Sequence, residues 1–535
     1  MEESNNDRFS ERTKNFQKTP DEDESSKRRY NLSVKLRRKK RTLDSAKKRA
    51  CKTGTIQASG LDGQEILVIN EIPTQLVELR PELASTEISD IEKLKILKEI
   101  AEGNPPINIL SIILATFRSM LAIEQAAPIG IFSNLGIGDL LVRCLGIEYG
   151  DIIQKEAAWI ICNLLSGPHD YVEMLLKKDL VNHLANAIVF SANEVKEHCI
   201  WALSNIAGDC MQYQISLVNY GLVDLLISVI TNVPNASLDL KNIVSHCLCI
   251  LSGCSNYITC DDTQKIIQCV SLLIDIDNDE IHANCLRTLG HISKKENAKV
   301  QQVIDSGLFT YVIKGLEYNR NVIVEPCIRI VGNISSGSPA QTQWLLEKDI
   351  LSVLMNILDN EDIKILKDIF WTISNIAAGT PLQSEILVNH EIFPKVTESL
   401  IYPNSIIRKE GSFIIKNLFS LGKNEVKLKM IQMNIIPLIT VALKEIDAEM
   451  VMNLLQACDS ILRLGLNGDE DTSAFVYLFE SSGCLNQLEI LQNHINEEVS
   501  KCAACIVDTY FGAAPNSDLQ INYNSEAFQF SQFIN

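Results

Sequence analysis

The sequence predicts an all-α solenoid, and three observations predict it. From about residue 90, helical patterns follow one another, each apolar along one stripe, with no alternating run long enough for a convincing strand. Glycine or proline punctuates them at Gly103-Asn104-Pro105-Pro106, Pro128, Gly167-Pro168, Gly221, Gly337-Ser338-Pro339, Gly379-Thr380-Pro381 and Pro403. A short segment also recurs in phase. Trp159, Trp201, Arg329, Trp371 and Phe413 are each followed four residues later by an asparagine, namely Asn163, Asn205, Asn333, Asn375 and Asn417.

The N-terminal element comes first. Residues 27–52 hold 13 Lys or Arg against the single acid Asp44, a net charge of +12, whereas residues 1–26 carry −4. The chain total of −18 then leaves −26 for residues 53–535. A cationic arm on an anionic body docks back on it, or each attracts its own partner. The anionic body repels phosphates, which argues against direct nucleic-acid binding. The opening MEESNNDRFS is acidic and polar, which excludes a secretory signal, and no uncharged apolar run reaches the roughly 18 residues of a membrane span. The expected organisation is a basic segment at 1–60, a linker at 61–85, repeats at 86–512 and a tail at 513–535.

The repeats come next. Trp159 to Trp201, Arg329 to Trp371 and Trp371 to Phe413 are all steps of 42 residues. The gap of 128 between Trp201 and Arg329 fits three units, with weaker copies at Cys249 and Arg287. A helical period near 42 belongs to the armadillo or HEAT class. Four residues make one turn, so each aromatic–amide pair shares a helix face, and stacked helices turn the pairs into two ladders. A lone tryptophan is more simply core packing. Five in-phase pairs read instead as an exposed amide ladder for the backbone of an extended peptide, because a buried amide needs a partner inside the protein. The aromatic faces would hold Lys or Arg stems, each contact contributing about 0.5–2 kcal/mol.

At these residues the sequence resembles importin-α, the adaptor for nuclear-localisation signals. FRSMLAIEQAAPI at 117–129 resembles the family's first repeat, VKEHCIWALSNIAGD at 195–209 its third, IFWTISNIAAGTP at 369–381 its seventh and LQNHINEEV at 491–499 its tenth. RFSER near Arg8, RRKKR at 37–41, KKR at 47–49 and the terminal FQF at 528–530 also have counterparts. The resemblance implies about ten armadillo repeats in a right-handed superhelix, with a flexible basic N-terminal segment and signals bound antiparallel in a groove. It implies a major site at Trp159, Asn163, Gly167, Trp201, Asn205 and Asp209, where Asp209 takes the critical lysine. It implies a minor site at Arg329, Asn333, Thr342, Trp371, Asn375, Glu410, Phe413 and Asn417. Arg28, Arg29, Arg37, Arg38, Lys39, Lys40, Arg41, Lys47, Lys48 and Arg49 would form the autoinhibitory, importin-β-binding region. Importin-β, basic cargo and a nuclear exportin with Ran-GTP are the implied partners, and the implied location is both cytoplasm and nucleus. The sequence departs from the family at Val172, where a pocket threonine is expected, at Cys249 and Gly253, and at Arg287 and His291. These departures shift weight from the major to the minor site.

Other chemistry finds no foothold. Cys502-Ala-Ala-Cys505 is a lone CxxC and reads as core, and the 16 cysteines read as reduced core residues. Cys247 and Cys249 point to opposite sides of their helix and cannot share a metal. No phosphate-binding loop, dinucleotide fingerprint or nucleophile elbow is present, so no enzyme, cofactor or metal site is expected. The alternative is a β-catenin-like scaffold without a transport role. Its groove is usually basic, so the −26 body and the KKR triplet favour the adaptor.

Overall fold

The computed structural model describes residue 69 and residues 72–512, apart from 122–127, 234–235, 295, 319 and 468–471. The described residues are helix and loop, with no strand among them, as the all-α armadillo reading expects. The basic segment at 1–60 and the tail at 513–535 lie outside them. The chain divides into two compact units, one ending at Val312 and the other starting at Ile313.

In the N-terminal unit, five long helices pack in succession: α1 (Ile107–Met120), α2 (Gly150–Leu164), α3 (Asn193–Asp209), α4 (Leu238–Leu251) and α5 (Asp279–Ile292). In the C-terminal unit, the same succession runs through α6 (Asn321–Ser335), α7 (Ile363–Ala377), α8 (Ser405–Leu421), α9 (Ala448–Asn467) and α10 (Glu497–Phe511). The apolar stripe explains the stacking. Ile153, Ala157 and Ile161 on α2, and Ile365, Ile369 and Ile373 on α7, recur every four residues and are fully or almost fully buried. Each such isoleucine contributes about 1.5–3 kcal/mol of burial.

The punctuation residues do specific work. Ser338 and Thr380 cap the helices Pro339–Glu347 and Pro381–Asn389, each in a reciprocal box with a glutamine three residues on, Gln341 and Gln383. Proline opens both helices, where its missing N–H costs nothing. A second device recurs along the chain. Gly136, Asp179, Gly221, Asp349, Asn434 and Gly483 each precede a helix with positive φ. Such a turn takes glycine freely and Asp or Asn at small cost, so the repeat tolerates only these residue types there.

The cysteines among the described residues are free, and most are buried. Cys502 and Cys505 differ from the expected core placement: both are only half-buried on α10.

Candidate functional site

The ladder positions fall on the long packed helices, the predicted major set in one unit and the minor set in the other. Trp159 and Asn163 lie on α2, Trp201 and Asn205 on α3, and Arg287 and His291 on α5. Arg329 and Asn333 lie on α6, Trp371 and Asn375 on α7, and Phe413 and Asn417 on α8.

The amide row is not the exposed ladder the sequence predicts. All five asparagines are buried, between 1% and 7% exposed. The reason lies at the helix ends, whose last-turn carbonyls lack helical partners. At the end of α2, the backbone N–H groups of Leu165, Ser166 and Gly167 take the carbonyls of Ile161, Asn163 and Leu164. The remaining carbonyl, that of Cys162, accepts from Asn205 Nδ2 at 3.1 Å. Asn417 Nδ2 likewise donates to the Ser374 carbonyl of α7 at 3.1 Å, and Asn375 Nδ2 reaches Ser335 Oγ of α6 at 3.5 Å. Each of these three amides therefore ties its helix to the one before. Two of them retain an unspent acceptor, because Asn375 Oδ1 and Asn417 Oδ1 are buried with no hydrogen-bond partner.

The aromatic row is also partly occupied by the chain's own cations. The Arg118 guanidinium stands 4.5 Å from the Trp159 ring centre, and Arg118 Nε donates to Glu156 at 2.5 Å. The His198 ring lies 4.8 Å from the same indole. Arg329 stands 5.9 Å from Trp371 and pairs with Asp368 at 2.7 Å, and Lys416 Nζ lies 6.0 Å from Phe413. Glu156, His198, Asp368 and Glu410 sit three residues before the aromatic of their own repeat. This third row was legible from the same 42-residue step, but only Glu410 was singled out.

Burial pushes the Asp368 carboxyl up to about 6, and the Arg329 charge only partly offsets it. The folded carboxyl thus holds its proton to a higher pH than an unfolded one, which titrates near 3.9. Stability must then fall as pH rises from about 4 through about 6. Asp368→Asn is expected to match the parent near pH 4 and to be more stable by about 1–3 kcal/mol at pH 8. Thermal melts at the two pH values check this, and an unchanged pH slope in the variant would refute it.

Several residues of the predicted lysine site in the N-terminal unit lie near the end of α3. Asp209 is its last residue, and His169, on the helix His169–Leu176, donates from Nδ1 to Asp209 Oδ2 at 2.5 Å. That hydrogen bond, together with the Asp209 charge, holds the His169 pKa above its ordinary value. Val172 is buried one turn along the same helix. Gly167 packs so closely that a methyl group there would lie 2.8 Å from Ile129 Cγ2. In the C-terminal unit, Thr342 and Glu410 are both buried rather than facing an open pocket. The Thr342 hydroxyl donates to the Ser335 carbonyl at 3.0 Å, so it closes a helix end.

The degraded fourth repeat is repaired from the fifth. Cys249 is buried on α4, which ends at Leu251, and Gly253 falls in the tighter 3₁₀ segment Ser252–Tyr257. His291 Nδ1 donates to the Cys249 carbonyl at 3.2 Å, the task asparagine performs elsewhere, and lies 2.9 Å from Ser252 Oγ. Lys299, only 1% exposed, donates to the Ser255 carbonyl at 2.6 Å and to Glu296 at 2.9 Å. The predicted basic residues from Arg28 to Arg49 lie outside the described residues.

Comparison with known proteins gives a consistent relationship. The armadillo/beta-catenin-like repeat model matches residues 338–378. The chain is 26% identical over 337 residues to the probable importin subunit alpha-A of Dictyostelium discoideum, covering 60% of each chain. It is 26% identical over 216 residues to importin subunit alpha-1b of Oryza sativa subsp. japonica, covering 39% of each. With importin subunit alpha-2 of Arabidopsis thaliana it shares 24% identity over 300 residues, 56% of this chain and 52% of the relative. The matches thus span between 39% and 60% of the relatives' length. An engineered protein of known crystal structure superposes with a TM-score of 0.68 at 19% identity, over 79% of this chain and 99% of its own, which establishes the fold alone. The chain is thus similar to importin-α subunits over part of their length, and its fold is an all-α armadillo array.

Proposed function

We propose that this chain is a nuclear-import adaptor that binds basic nuclear-localisation signals along its inner helices. One observation carries the reading. Asn375 and Asn417, on successive helices, each bury an amide oxygen that has no donor. An unmet acceptor of this kind costs free energy, about 1–3 kcal/mol. Turned outward, these amides would take the backbone N–H groups of an extended peptide lying across the ladder as the missing donors. The −26 body and the Asp209 carboxylate select a cationic peptide over an acidic one.

In this reading Trp159, Asn163, Gly167, Trp201, Asn205 and Asp209 form one signal site. Arg329, Asn333, Thr342, Trp371, Asn375, Glu410, Phe413 and Asn417 form the other, with Thr342 and Glu410 acting as supports behind it. Residues 1–60 bind importin-β and, when unbound, lay Lys47-Lys48-Arg49 into the groove. The adaptor shuttles between cytoplasm and nucleus, returned by an exportin with Ran-GTP.

A labelled lysine-rich peptide titrated by anisotropy tests this. The full chain should bind it, should ignore an acidic peptide of equal length, and should bind about tenfold more tightly once residues 1–60 are removed. A tether of this kind acts at an effective concentration on the order of millimolar. Preference for the acidic peptide would favour a β-catenin-like scaffold and overturn the adaptor.

A further inference from the structure

We propose that His169 is a specificity-determining residue of the Asp209 pocket, an internal occupant that a signal lysine must displace. The inference rests on the reading of Asp209 as the lysine carboxylate. Its own ground is geometric. The Asp209 side chain is only 14% exposed, and the imidazole of His169 sits on it at 2.5 Å. Tyr213, on the helix Met211–Asn219, stacks on that imidazole with ring centres 5.8 Å apart and planes 20° apart, which holds the ring over the carboxylate. The His169 side chain is itself 55% exposed, so it can swing outward without opening the core.

The charge state sets the strength of the competition. As imidazolium, His169 forms an ion pair with Asp209; as neutral imidazole it offers only a hydrogen bond. The groups around it are Asp209 on α3, Cys210 and Tyr213 just beyond it, and Asp170 and Glu173 on its own helix. Of the other helices packed against it, Leu180–Phe190 carries His183 and Ile129–Asn134 carries no titratable residue. The surroundings are therefore anionic, and the free site raises the imidazole pKa through the Asp209 contact. A displaced imidazole returns toward its ordinary value of about 6.5. Peptide binding then releases a proton between those two values. Affinity rises with pH across that window and is flat on either side of it.

The experiment uses the full-length chain carrying Lys47→Ala, Lys48→Ala and Arg49→Ala, so that the arm does not compete. A labelled single-cluster lysine peptide is titrated at pH 6.0 and pH 8.5. The expected result is about two- to fivefold weaker binding at pH 6.0, the size of one partly exposed ion pair. His169→Gln should bind equally at both pH values, and more tightly than its parent at pH 6.0. Normal binding by His169→Gln with the parent's pH dependence retained sinks the proposal alone. No binding by either protein at either pH sinks the adaptor reading, and the proposal with it.

Discussion

Asp209→Lys is expected to weaken lysine-peptide binding at the N-terminal unit by about a hundredfold or more while leaving the protein folded. Two unit charges 4 Å apart interact by about 4 kcal/mol at an effective dielectric constant near 20. Salt reduces this for partly exposed groups, yet the substitution turns an attraction into a repulsion, so a large loss survives screening. Folding is protected by position. Asp209 is the last residue of α3, where a carboxylate opposes the negative end of the helix dipole and a lysine complements it. Anisotropy with a single-cluster peptide, alongside a thermal melt, measures both halves. Normal binding by a folded Asp209→Lys protein would remove Asp209 from the site.

Gly332→Ala should damage the C-terminal unit more than a single methyl group normally does. The added carbon would lie 2.0 Å from Cζ3 and 2.6 Å from Cε3 of Trp371, and 3.0 Å from Thr372 Oγ1. Trp371 is only 4% exposed, so its ring has little room to retreat. Alanine gains about 1 kcal/mol of helix propensity over glycine, while overpacking of this kind costs about 1–3 kcal/mol and occasionally more. A net loss of up to about 2 kcal/mol is expected. Moving the indole also disturbs the Arg329 contact at 5.9 Å, so affinity for a two-cluster peptide should fall about tenfold. An unchanged melt together with unchanged binding would mean that the ring yields freely.

The array itself was legible because every repeat must solve the same packing problem. Trp159, Trp201 and Trp371 recur in phase on the stacked helices, as a fixed helical period requires. The depth of the amides was not legible. Spacing of four residues says that Asn205 shares a face with Trp201, but not that the Cys162 carbonyl stands opposite it. That partner is an unfilled helix end from the preceding repeat, visible only once the helices are stacked. The burial of Thr342 was not legible for the same reason, since its hydroxyl donates to the Ser335 carbonyl at the end of the preceding long helix. The repair of repeat four was hidden too. Cys249 and Gly253 read as losses in the sequence, whereas His291 and Lys299 reach back 42 and 44 residues to the carbonyls of Cys249 and Ser255.

The amide ties also set how such a chain comes apart. A linear array is held by nearest-neighbour couplings, and each asparagine that reaches back to the preceding helix strengthens one coupling and no other. Asn205 and Asn417 are thus local rivets: cutting one softens a single joint and leaves the rest of the stack as stiff as before. Unravelling under load or heat would then start where a rivet is missing and stop at the next one. A peptide lying along the ladder would bridge several joints at once, splinting the stack lengthwise.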